Sequence, residues 1–133
     1  MCHKITVHSA AVSNMQYLQA FSPALHDTIM LELAKLRDLA DPRDHCRVEA
    51  MCGELKGCYR LAIYTPESIR IIFRMLDDDR TEILAAERLY KGEDITVEID
   101  SAGFRSRVYD QPRLSKQLAS ARKGNMKGNA SNG

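Results

Sequence analysis

Between Gly53 and Tyr90 the chain reads GELKGCYRLAIYTPESIRIIFRMLDDDRTEILAAERLY, and three alternating runs lie inside it. Tyr59, Leu61 and Ile63 alternate with Arg60, Ala62 and Tyr64. Ile69, Ile71, Phe73 and Met75 alternate with Arg70, Ile72, Arg74 and Leu76. Ile83 and Ala85 alternate with Glu82, Leu84, Ala86, Arg88 and Tyr90. A period of two puts successive side chains on opposite faces of a strand. The pattern therefore predicts three strands, broken at Thr65–Ser68 and at Asp77–Asp79. One face is apolar, and the other carries Arg60, Arg70 and Arg74. A sheet with an arginine face is suited to holding phosphates.

Parity restricts the register, because facing residues of an antiparallel pair share a side. A three-residue loop at Pro66-Glu67-Ser68 pairs Thr65 with Ile69, Tyr64 with Arg70, and Arg60 with Arg74. A second loop at Asp77-Asp78-Asp79 pairs Arg74 with Glu82 and Arg70 with Ala86. Both loop lengths are common in hairpins. Facing like charges destabilise a sheet, so Arg60 and Arg74 would need Glu82 or a shared anion. The same register sets Ser68 opposite Arg88 and brings Arg70 and Arg88 into diagonal reach.

Upstream, Lys4–His8 alternates weakly and predicts a short strand. Ala11, Met15 and Leu18 have helical spacing over Ser9–Ala20, with Ser9 as expected N-cap. Ser22-Pro23 is a stronger start signal, an N-cap followed by proline at the first helical position. Leu25, Ile29, Leu33, Leu36 and Ala40 then form one stripe, and Asp41-Pro42 ends it. Val48 and Met51 are possible starts of another strand, and Gly53 and Gly57 bracket a turn containing Lys56. Ile95, Val97 and Ile99 alternate cleanly in a further strand. Pro112–Lys123 reads as a basic helix with Leu114, Leu118 and Ala121 on one side, and the Gly/Asn/Ser-rich residues 124–133 as a disordered tail. The expected fold class is α+β: an N-terminal strand and αα-hairpin on a small, mostly antiparallel twisted sheet, in one domain of residues 1–123.

Composition narrows the functional classes. The 133 residues are 44% hydrophobic and 28% charged, without Trp and with 6% aromatics, as in a globular domain whose core is aliphatic. No apolar run approaches the roughly 20 residues of a membrane span, and the N-terminus lacks a signal-peptide core, so a cytoplasmic location is expected. Cys2, Cys46, Cys52 and Cys58 form no C-x-x-C pair and match no common zinc spacing, which predicts reduced thiols and no metal site. His45 beside Cys46 does not change this. The net charge of +1 hides an asymmetry. From Gly103 onward seven Lys or Arg stand against one Asp, a net of +6, which leaves −5 on the first 102 residues. A basic end suits an anionic partner and is also a common solubilising feature.

A short strand, two helices, a break at Asp41-Pro42, then G-E-L-K-G-C-Y-R-L and I-R-I-I-F-R: this order resembles the RelE/ParE superfamily of bacterial toxin–antitoxin toxins over Lys4–Tyr90. The resemblance implies a ribosome-dependent mRNA endoribonuclease that transfers a phosphodiester onto the adjacent 2′-hydroxyl. It implies no cofactor, with arginines supplying the charge. It also implies a cognate antitoxin and the ribosome with its mRNA as partners. By position it carries catalytic roles to Arg60, Arg70, Arg88 and Tyr90, and RNA contacts to Lys56 and Arg74. Arg107 and Tyr109 bind RNA on this reading, and are alternative equivalents of the family's C-terminal basic and aromatic pair. The position two after Arg60, often basic in the RNA-cutting branch, is Ala62, and no histidine follows the third strand. Two alternatives keep the scaffold: a ParE-like, non-enzymatic inhibitor of DNA gyrase, and an inactive interaction module. Each arginine also has a plain structural reading as part of a surface ion pair, Arg74 above all with Glu82 predicted opposite. Tyr90 and Tyr109 are equally readable as packed aromatics, and Lys56 as a turn residue.

Overall fold

A computed structural model of the chain describes residues 3–64, 68–89, 93–105, 116 and 118–123. The fold is α+β. In chain order it has β1 (Lys4–Val7), α1 (Ser9–Phe21), α2 (Pro23–Asp38), β2 (Val48–Ala50), β3 (Tyr59–Tyr64), β4 (Ser68–Leu76) and β5 (Thr96–Phe104). Short 3₁₀ turns lie at Pro42–Asp44 and Gly53–Leu55. The sheet order is β1-β5-β4-β3-β2. β1 runs parallel to β5, and every other neighbouring pair is antiparallel.

The helices form where their signals stand. Ser22 caps α2, its Oγ accepting from Leu25 N–H at 3.2 Å, and Leu25, Ile29, Leu33 and Leu36 are buried. The α1 cap differs from expectation. His8 is the N-cap, its Nδ1 accepting from Ala10 N–H, and Ser9 is the first helical residue. Both helices pack on the odd-numbered face of the sheet, where Leu61, Ile71, Phe73, Val97 and Ile99 join Leu18, Ile29 and Leu36 in the main core. Burying each such aliphatic side chain stabilises the fold by about 1.5–3 kcal/mol, which offsets the entropy of ordering it. On the opposite face Ile72 packs with Leu55, Cys58 and Leu118 in a smaller cluster. Leu118 belongs to the helical residues 118–123, within the expected basic helix.

Two strand expectations are corrected. The β3–β4 register pairs Tyr64 with Ser68, Ala62 with Arg70 and Arg60 with Ile72, two residues away from the expected pairing. Parity is preserved, so every side chain keeps its face, and the shift sets Arg60 against an isoleucine instead of the like-charged Arg74. The second correction is larger. Residues 83–89 form no strand. After Leu76 the chain turns over Asp77–Thr81, where Asp77 Oδ1 accepts from the backbone N–H groups of Asp79 and Thr81. One bridge forms between Leu76 and Glu82. The chain then leaves the sheet: Ile83 C=O accepts from the Tyr59 hydroxyl, and Leu84 and Ala85 C=O accept from Arg43 Nη1. The place beside β4 goes to β5, whose Val97 and Ile99, with Ile95 just before it, are buried in the core. The competing run has only Ala85 and Ala86 where a central strand needs bulk.

Candidate functional site

Arg70 and Arg74 lie on one strand and one face, both buried, and their surroundings are opposite in kind. Arg74 is 0% exposed. Its Nε and Nη2 bond Asp100 at 2.8 and 3.0 Å, Nη2 also bonds Glu98, and Nη1 lies 3.5 Å from Glu82. Glu98 and Asp100, two residues apart on β5, share a face by the strand's period of two, and the register shift between Ile72 and Phe73 leaves Asp100 as the extra residue of β5, beside Arg74. Burial pulls the Arg74 pKa down, and the Asp100 hydrogen bond with the three carboxylate charges outweighs it. Glu98 and Glu82 are tied outward to Arg80 and Arg122. Arg122 also donates to Lys56 C=O at 2.8 Å. Gly57, at φ +96°, passes so close that a Cβ there would lie 2.5 Å from Glu82 Oε1. Arg74 is therefore the centre of an ion network that docks the C-terminal helical residues on the sheet.

Arg70 is 6% exposed. Among the described residues no carboxylate pairs with it: Nη1 donates to Ile69 C=O at 3.2 Å, and Nε is buried with no partner. Its guanidinium stacks on the Tyr64 ring at 5.2 Å, and Arg47 stacks on the same ring at 4.5 Å. Tyr64 itself is 61% exposed. Desolvating a guanidinium without a counter-charge costs several kcal/mol, and a cation–π contact returns only about 0.5–2 kcal/mol of that.

The register explains why Arg47 arrives there. Ala62 N–H donates to Arg47 C=O at 3.1 Å, which extends the β2–β3 pairing by one residue. A row therefore crosses the sheet as Arg47, Ala62, Arg70, Gly103. In this row Ala62 alone separates the two arginines, and Gly103 lies beyond Arg70. Beside it lies a groove of about 300 Å³ lined by Cys46, Arg47, Glu49, Arg60, Ala62 and Tyr64. Arg60 faces Glu49 directly across β2–β3 and is ion-paired to it.

The expected site residues therefore separate. Arg70 stands in the row with Arg47, while Arg60 and Arg74 are engaged by carboxylates. Lys56 is an exposed turn residue whose carbonyl receives Arg122. Arg88 is exposed in the irregular stretch 83–89, and the partner of Arg70 on β5 is Gly103, so the expected Arg70–Arg88 corner does not form. Tyr90, Arg107 and Tyr109 lie outside the described residues, as do Cys2 and the tail 124–133. Sequence reasoning missed Arg47, because its face follows only once β2 is known to pair with β3.

Elsewhere, His45 Nδ1 accepts from Arg47 N–H at 3.0 Å, so its Nε2 carries the hydrogen that reaches Glu32 at 2.9 Å. Burial raises the Glu32 pKa, and hydrogen bonds from Lys35 and His45 more than reverse this. Burial, reinforced by Asp100, pushes the Cys58 thiol up to about 12. Among the described residues no group of three or more His, Cys, Asp or Glu side chains is placed to hold a metal ion. No described helix is long and apolar enough to cross a membrane. No protein-family model matches the chain, and no curated protein or solved structure matches it either.

Proposed function

We propose that the chain is a RelE-like toxin that cleaves mRNA on the ribosome by transfer of the phosphodiester onto the 2′-hydroxyl. The observation that carries this reading is Arg70, a buried arginine with no carboxylate among the described residues, in a row that holds a second arginine. An anion is the missing partner, and an RNA phosphodiester supplies one. In such a transfer negative charge grows on the phosphorane, and a guanidinium fixed in a poorly solvated position stabilises it more than one in water. Arg70 is assigned that role. The order strand, two helices, β3, β4, β5 and a basic helical segment supports the family resemblance. With β5 beside β4, the basic and aromatic pair that follows the last strand becomes Arg107 and Tyr109 instead of Arg88 and Tyr90. A cognate antitoxin that is acidic would be drawn to the Pro112–Lys123 segment.

One observation favours a second reading, the non-enzymatic gyrase inhibitor: Arg60 and Arg74, two of the expected phosphate ligands, already have carboxylate partners. Mapping mRNA ends after brief induction separates the two. New breaks confined to ribosome-covered codons support the nuclease. Intact mRNA together with blocked supercoiling supports gyrase inhibition and overturns it.

A further inference from the structure

We infer that Arg47 is an RNA-binding residue, and that the row Arg47–Ala62–Arg70 beneath Tyr64 holds one phosphodiester of a single RNA strand. The inference rests on the nuclease reading and deepens it by naming a subsite and its ligand. Three observations carry it. Ala62 N–H donates to Arg47 C=O, so Arg47 is the cross-strand neighbour of Ala62, which pairs on its other side with Arg70. A cation from each neighbouring segment thus flanks Ala62. Both guanidiniums lie against one tyrosine ring, at 4.5 and 5.2 Å from its centroid. They are therefore no farther apart than the sum of those distances, a span that a phosphate and its sugar neighbours can bridge. A guanidinium over a ring keeps N–H groups that can donate to phosphate oxygens, and the Arg70 Nε has no partner among the described residues.

The third observation is charge. The groove beside the row has Arg47 and Arg60 on its wall with Glu49 as the one acid among the described residues that line it, and Glu49 is ion-paired to Arg60. Arg70 adjoins it through Ala62. Among the described residues neither Arg47 nor Arg70 has a carboxylate partner, so two cations are uncompensated here. Arg47 is exposed and Arg70 buried. Arg47 can meet the strand first, and Arg70 then receives the phosphate.

The test uses the full chain and a fluorescent single-stranded oligoribonucleotide whose 2′ positions are methylated, so that binding is read without cleavage. Affinity is measured by anisotropy at several salt concentrations for wild type, Arg47→Ala, Arg47→Lys and Arg70→Ala, each checked by thermal melting. Each phosphate contact to single strands contributes about 0.7 to the slope of log affinity against log salt. Arg47→Ala is expected to weaken binding about tenfold at low salt and flatten the slope by about 0.7, with the fold unchanged. Arg47→Lys is expected to keep the slope. An Arg47→Ala protein that binds with wild-type affinity and slope overturns the inference, as does a wild-type chain with no affinity for the strand at low salt. Cleavage on translating ribosomes is scored separately. RNA held through Arg47 but never cut removes the nuclease reading and leaves the subsite. Undiminished binding and cleavage in Arg47→Ala, with both lost in Arg70→Ala, removes the subsite alone.

Discussion

Arg70→Met and Arg74→Met are the same chemical change at two positions four residues apart on β4, and they should move stability in opposite directions. Methionine keeps most of the buried stem volume and removes the charge. At Arg74 the change strands Asp100, whose side chain is 1% exposed, and leaves Glu98 and Glu82 without their central cation. Breaking a buried pair from one side costs about 3–5 kcal/mol. At Arg70 no described carboxylate is stranded. The change loses one hydrogen bond to Ile69 C=O, roughly 1 kcal/mol, and a ring contact of about 0.5–2 kcal/mol. It also ends the desolvation of a guanidinium with no carboxylate partner among the described residues, several kcal/mol in the other direction. The expected net is between no change and a gain of about 2 kcal/mol. Urea unfolding at pH 7, followed by circular dichroism, reads both, with an unchanged m-value as the check on two-state behaviour. If Arg70→Met is as destabilising as Arg74→Met, Arg70 is a structural residue, and the reasoning that makes it a phosphate ligand is wrong.

Three further outcomes follow from the geometry. Gly57→Ala forces an alanine to φ +96° and drives Glu82 off Arg122, for a loss of about 1–3 kcal/mol. Because that substitution already displaces the carboxylate, adding Glu82→Gln should cost less than Glu82→Gln alone, and additivity in the double-mutant cycle would argue against the latch. Burial raises the Asp41 pKa, but hydrogen bonds from the Arg43 side chain and backbone hold it below 3.8. The stability it contributes is complete above its unfolded value and is lost as pH falls through the folded one. Urea midpoints should therefore fall more steeply below about pH 4 in wild type than in Asp41→Asn; parallel profiles would contradict this. Cys58, buried and pushed up to about 12, should resist alkylation at pH 8 until the chain unfolds, while the exposed Cys46 and Cys52 react. Peptide mass mapping after a timed pulse of iodoacetamide distinguishes them.

Much of the scaffold was legible because its signals are local. Ser22-Pro23 needs only its own neighbourhood to cap α2, and the alternation of β3 and β4 needs only the chain to assign each side chain a face. Pairing is not local. The runs 83–90 and 95–99 both alternate, and the choice between them depends on which buries more against α1 and α2. Ile95, Val97 and Ile99 win over a run whose middle is Ala85-Ala86. The same non-locality hid Glu49 opposite Arg60 and Arg47 opposite Ala62, since both pairs require β2, a three-residue strand with almost no signal of its own. Glu98 and Asp100 share a face by simple alternation, but that this face meets Arg74 depends on the β4–β5 pairing, which is not local either. Arg74 was readable as an ion-paired residue, whereas the partner expected for Arg70, Arg88, lies in the irregular stretch 83–89.

The central claim proposed here is that Arg70, buried with no carboxylate partner among the described residues, meets a phosphate. Its most direct test is single-turnover cleavage of mRNA in purified ribosomal complexes by wild-type and Arg70→Ala proteins of matched, measured stability. The account predicts cleavage within the ribosome-covered codon by wild type and a loss of about 10²-fold or more in Arg70→Ala, with the variant still folded. Equal cleavage by a folded Arg70→Ala protein, or none by wild type, would contradict it.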